Sequence, residues 1–149
     1  MKEYIEKLKK IEEKILKEKE GNIYFFGILK RTDVENKWDI VISADWIEQS
    51  DTEKDLIYVI DAIKVEFNGN LDFLSKIVLL APTEEFIRSL LKAIARNKMT
   101  TGEIQNLKIT SDITIKELLV ISSDVSGVDL DDTSELEEDK KDTKTVANF

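Results

Sequence analysis

Two short segments of the chain are apolar on both faces of any extended strand. They are Ile23-Tyr24-Phe25-Phe26-Gly27-Ile28-Leu29 and Ile77-Val78-Leu79-Leu80. Strands of that kind belong inside a sheet covered on both sides. Segments with helical periodicity surround them, so the chain is constrained to a layered α/β arrangement.

The first helix is expected over residues 2–19. Tyr4, Leu8, Ile11 and Ile15 form its stripe, widened by Ile5 and Leu16, and Glu3 with Lys7, Glu6 with Lys10 and Glu13 with Lys17 are acid-before-base pairs on the exposed side. The stripe is only about two heptads long, which favours packing on its own domain over a dimerising coiled coil. Gly21-Asn22 stops it. From Trp38 the chain alternates: Trp38, Ile40, Ile42, Ala44 and Trp46 point one way, and Asp39, Val41, Ser43 and Asp45 the other. That pattern predicts a strand ending near Ala44, with one buried face and one solvent-facing polar side. By the same parity the two tryptophans are expected in the core rather than as an exposed aromatic platform.

A second helix of about 15 residues starts after Ser50-Asp51-Thr52, with Asp51 or Thr52 as its cap and Leu56, Ile57, Val59, Ile60, Ile63 and Phe67 inward. Asn68-Gly69-Asn70 ends it. Pro82 and Thr83 open a third helix carrying Glu84 and Glu85 in its first turn, where the dipole favours acids. Phe86, Ile87, Leu90, Leu91 and Ile94 form its stripe. A strand is expected within 103–110, and a last buried one around Leu118-Leu119-Val120-Ile121. The predicted order is α-β-β-α-β-α-β-β. It corresponds to a mixed four- or five-stranded sheet covered by three helices, in a single α/β domain over residues 1–123. The first two strands should pair antiparallel, and the third, after a crossover helix, should run parallel to the second.

Charge separates this body from the C-terminal segment. Residues 124–149 hold nine acidic and three basic side chains, whereas residues 1–123 hold 22 acidic and 19 basic ones. The acidic segment is expected to be a disordered tail. A near-balanced body with only three arginines (Arg31, Arg88, Arg96) argues against nucleic acid as a partner. No window reaches the ~18 apolar residues of a membrane span, and the charged opening Met1-Lys2-Glu3-Tyr4 lacks the apolar core of a secretory signal. Cytoplasmic residence and no membrane partner are therefore expected.

The chain has no histidine and no cysteine. That removes the usual neutral-pH proton shuttle, thiol nucleophiles, and the ligands of zinc, haem and iron–sulfur centres. The candidates for chemistry are Asp39 and Asp45, whose carboxylates are of the type that holds magnesium. Six residues of extended strand separate them by about 20 Å, so both reach one ion only if the chain turns after Ala44. The order Gly27, Arg31, Asp39-Ile40-Val41 invites comparison with nucleotidyltransferases. The serine expected after the glycine is Ile28, and the second carboxylate of that motif is Val41. Asp51, Glu53, Asp55 and Asp61 cluster where a helix start attracts acids anyway. The five glycines are scattered, so no phosphate-cradling loop is present.

Three segments together resemble a family of small prokaryotic α/β proteins without an established activity. They are Trp38-Asp39-Ile40-Val41-Ile42-Ser43-Ala44-Asp45-Trp46, Ile77-Val78-Leu79-Leu80 and Leu119-Val120-Ile121-Ser122-Ser123. The resemblance implies a compact α/β domain and carries over no functional residue. The expectation for function is a non-enzymatic binding or regulatory module with a protein or small-molecule partner and no cofactor. The alternative is a metal-assisted enzyme using Asp39 or Asp45.

Overall fold

Both doubly apolar segments become inner strands of one sheet. The structure is a computed structural model and describes residues 2–31, 36–49, 52–128 and 144–149. Its elements are α1 (Lys2–Glu18), β1 (Ile23–Lys30), β2 (Trp38–Ala44), α2 (Asp45–Gln49), α3 (Thr52–Glu66), β3 (Leu74–Leu80), α4 (Glu85–Asn97), β4 (Gly102–Lys108), β5 (Thr114–Ser123) and β6 (Lys144–Asn148). The strand order is β4-β5-β1-β2-β3-β6. Among these strands β2 and β3 run parallel, joined by the α3 crossover; the other neighbouring pairs are antiparallel.

The helices fall on opposite faces. Leu8, Ile11 and Ile15 of α1 and Val59, Ala62 and Ile63 of α3 pack on Phe26, Ile28, Ile40, Ile42, Ile77 and Leu79. On the other face Ile87, Leu90, Leu91 and Ile94 of α4 pack on Phe25, Leu29, Val41, Leu80, Leu118 and Val120. The helix stops work as the residues dictate. Asn68 and Gly69 adopt positive φ of 53° and 77°, and the Gly69 N–H donates to the Lys64 carbonyl at 2.9 Å, closing the end of α3.

Three expectations are corrected. The sheet has six strands rather than four or five, and the described residues form four helices rather than three. The fourth helix is α2, a single turn that starts at Asp45 directly where β2 stops. The sixth strand comes from the segment expected to be a disordered tail. Residues 144–148 pair antiparallel with β3, in the register Val78 with Val146. Composition averaged over 124–149 hides the change from an acidic run to Thr145-Val146-Ala147, which suits an extended edge. At the other end of the segment, Asp124 donates its N–H to the Tyr24 carbonyl at 2.9 Å, and Val125 and Val128 pack against the α4 core. Residues 129–143, with most of the acidic charge, lie outside the described residues, as does the capping candidate Asp51.

The third correction concerns β2. Its supposed solvent side is buried: Asp39, Val41 and Ser43 are 5%, 2% and 0% exposed. β2 sits between β1 and β3, with α1 and α3 over one face and the α4 cluster against Val41 on the other, so alternation there marks a buried polar group rather than a wet surface. The tryptophans are core residues, as their parity predicts. Trp38 lies beneath the Lys30 ammonium at 4.7 Å and Trp46 beneath that of Lys19 at 5.3 Å.

Candidate functional site

A six-stranded sheet is about 24 Å wide at the usual strand spacing, and one helix with its side chains covers about 10 Å. Two helices cover the α1/α3 face. On the other face α4 is the one helix among the described residues, packed toward β4, β5 and β1. The β3 side of that face is left as a groove of about 520 Å³. Its floor is Leu29, Val41, Val78, Leu80 and Ile115; Phe86 of α4 and Glu84 just before it form one side and Val146 of β6 another.

The polar groups in this apolar floor are few and fixed. Arg31 comes directly after the last residue of β1, and the antiparallel register sets Leu29 opposite Asp39. The guanidinium therefore reaches the carboxylate, with Arg31 Nε 2.8 Å from Asp39 Oδ2. The Arg31 Nη2 donates to Ser75 Oγ at 3.1 Å, tying β1 to β3 across β2. Lys76 is the register partner of Asp39 on β3 and also lines the groove. The Asp39 side chain is 7% exposed and that of Arg31 29%, so the pair is partly screened by protein and open to the groove through its guanidinium. Asp112, in the turn between β4 and β5, adds an acid at the rim.

Asp45 lies at the opposite end of β2 and has different work. Its Oδ1 accepts the Tyr24 hydroxyl at 2.7 Å and its Oδ2 accepts the Asn22 N–H at 2.8 Å. The Asp45 N–H donates back to the Asn22 carbonyl at 3.1 Å. A glycine is required opposite it: Gly21 has φ of 97°, and a Cβ there would come within 2.8 Å of the Asp45 side chain. The hydrogen bond to Asp45 is the main reason the Tyr24 phenol titrates above its ordinary range, with burial and the carboxylate charge adding to it.

The two candidate carboxylates are thus held apart, one by Arg31 and one by Tyr24 and Asn22. Among the described residues no group of three or more acidic, histidine or cysteine side chains could hold a metal ion. Of the acidic cluster at the start of α3, Asp55 is buried at 2% exposure, while Glu53 and Asp61 are exposed.

A second cleft, of about 640 Å³, opens beyond the carboxyl end of β3. It is lined by Tyr24, Pro82, Arg88, Lys92, Asp124 and Ser126, among others. Most of the residues that line it are polar or charged, although apolar atoms supply the larger part of its surface, and the 124–128 turn forms part of it. There the Ser126 hydroxyl and then its N–H hold the Asp124 carboxyl below the ordinary range. Small-molecule sites are typically apolar with a few convergent polar groups, a description that the groove, with its floor of apolar strand residues, fits more closely than this cleft.

Sequence reasoning missed Arg31 and Lys76 as neighbours of Asp39, and Tyr24 as the partner of Asp45. One signal was present: a lone carboxylate inside Trp38-Asp39-Ile40-Val41-Ile42 demands a cationic partner if the strand is buried on both faces. No family model, no curated protein and no solved structure matches the chain. No helix among the described residues is long and apolar enough to cross a membrane.

Proposed function

We propose that the protein is a non-enzymatic binding or regulatory module of the cytoplasm, which takes its ligand in the groove beside α4. The observation that carries this reading is the Arg31–Asp39 pair, with Lys76 beside it, set at the apolar strand residues Leu29, Val41, Val78 and Leu80. Such a site recognises an amphipathic ligand: apolar surface lies on Val78 and Leu80 while a polar group meets the guanidinium. Resemblance to the small prokaryotic α/β proteins is part of the proposal and adds no activity. The partners of Asp39 and Asp45 support binding over metal-assisted catalysis, because each carboxylate is already engaged in the sheet.

The test is an amide-resolved NMR titration of the full chain with a library of small amphipathic acids and amides, and separately with Mg²⁺. The proposal expects saturable shifts from several library members to converge on Leu29, Val41, Val78 and Ile115. Saturable shifts from Mg²⁺ confined to the surroundings of Asp39 or Asp45, with none from the library, would replace it by the enzyme reading.

A further inference from the structure

The two edges of the sheet are protected in different ways. The β4 edge protects itself. Glu103, Gln105, Asn106 and Lys108 are exposed on a seven-residue strand, and Asn106 takes a positive φ of 54° that breaks its regularity. Charge and irregularity of this sort discourage another strand from pairing. The outer edge of β3 has neither. Leu74-Ser75-Lys76-Ile77-Val78-Leu79-Leu80 carries a single charge, and Leu74, Ile77, Leu79 and Leu80 are fully buried. This is the composition of an inner strand placed second from the edge, and it depends on β6 to satisfy its main chain.

Among its described side chains, none anchors β6 by full burial. Val146 and Ala147 are half-buried, and Asn148 and Phe149 are exposed. The attachment is mainly the antiparallel ladder from Lys144 to Asn148, extended by the Phe149 N–H, which donates to the Ser75 carbonyl at 2.8 Å. A ladder of this kind reads backbone, with side-chain pockets only at alternate positions. Here Val146 faces the groove beside Val78, and Ala147 packs on the α3 side.

We propose that the outer edge of β3 is a strand-addition site for an extended segment of another protein, and that β6 is its resident competitor. The partner segment pairs antiparallel with Leu74–Leu80. It presents a β-branched or similar apolar residue toward the groove and a small residue toward α3, as Val146 and Ala147 do. A covalently joined strand competes at an effective concentration of about a millimolar, so a free segment displaces β6 once its concentration divided by its Kd exceeds that value divided by the intrinsic Kd of β6 for the edge. This inference does not rest on the groove being a ligand site.

The experiment uses the full chain, wild type and Ala147→Pro. With the Phe149 N–H on the Ser75 carbonyl, the antiparallel register points the Ala147 N–H toward β3 and the Val146 N–H away from it. The substitution therefore removes a ladder N–H and fixes φ, which weakens β6 as a competitor. The probe is a fluorescein-labelled peptide with the sequence of residues 144–149, monitored by polarisation. The proposal expects saturable binding to A147P at least tenfold tighter than to wild type, lost when the alanine of the peptide is also proline. Equal binding to both proteins, or none to an A147P that retains its cooperative thermal transition, would overturn it. Should A147P fail to fold, native-state hydrogen exchange on the wild type decides. The amides of β3 that face β6 are expected to exchange through an opening at least tenfold more populated than the one that exposes β1. Exchange of β1 and β3 together, through global unfolding only, would show that β6 is a permanent strand.

Discussion

The Tyr24 hydroxyl donates to the Asp45 carboxylate at 2.7 Å and so locks the start of β1 to the end of β2. The same carboxylate takes the Asn22 N–H at 2.8 Å, so one side chain fixes the strand entry, the strand exit and the first turn of α2. Tyr24→Phe is expected to cost about 1.5–3 kcal/mol, the range of a hydrogen bond to a charged group. Asp45→Ala should cost more, because it also strips the Asn22 N–H of its acceptor. Denaturant midpoints of the two variants and their double mutant test this; a double-mutant coupling near zero would mean that the contact contributes nothing.

The same contact has a pH signature. The folded phenol titrates above its ordinary value of 10.0, so its contribution is complete below that pH, where both states are protonated. Above it the unfolded chain ionises first, and stability falls with rising pH until the folded phenol ionises as well. A tyrosinate absorbance titration of wild type minus Y24F should give a midpoint above that of a free tyrosine. Tyr58 will also ionise late, through burial and then its hydrogen bond to Glu18, so the subtraction must use Y24F and not a model compound.

The Arg31–Asp39 pair should behave as a buried pair that is costly to break and cheap to replace. Asp39→Ala leaves the guanidinium facing an apolar floor and is expected to cost about 3 kcal/mol. The double replacement Arg31→Met, Asp39→Leu should recover at least half of that. If D39A melts at the wild-type midpoint, the pair is a surface contact and the groove floor is wet.

Ser43 and Gly27 predict opposite outcomes for a single methyl-sized change. Ser43 is fully buried, and its Oγ has no hydrogen-bond partner among the described residues. Ser43→Ala is therefore expected to leave stability unchanged or raised, since it removes a desolvated hydroxyl. At Gly27 an added Cβ would lie 2.6 Å from the Leu119 carbonyl oxygen and 2.8 Å from the Phe25 ring. Gly27→Ala should cost about 1–3 kcal/mol or more, because a backbone atom cannot step aside. Thermal midpoints of the two variants moving in the same direction would contradict this picture of how β1, β2 and β5 fit together.

Periodicity in the sequence exposed α1, α3, α4, the inner character of β1 and β3, and the parallel β2–β3 crossover, because those depend on where apolar side chains fall. It could not show which partner covers a face, and so it read Asp39 and Ser43 as wet although both are buried on a strand enclosed between β1 and β3. It also could not weigh β6. A five-residue strand after an acidic run has almost no pattern of its own and exists because β3 offers an unpaired edge. The two candidate carboxylates were legible as residues, but Arg31 and Tyr24 reach them through strand register, which only the folded sheet provides.

The groove beside α4 carries the functional reading, and blocking it tests that reading most directly. Val78→Lys places a long charged chain on its floor, on the half-buried side of β3 beside Val146. Library compounds that bind the wild type are expected to lose at least tenfold in affinity to V78K, while the variant keeps a cooperative thermal transition. Unchanged affinity in a folded V78K protein would contradict the assignment of the groove as the binding site.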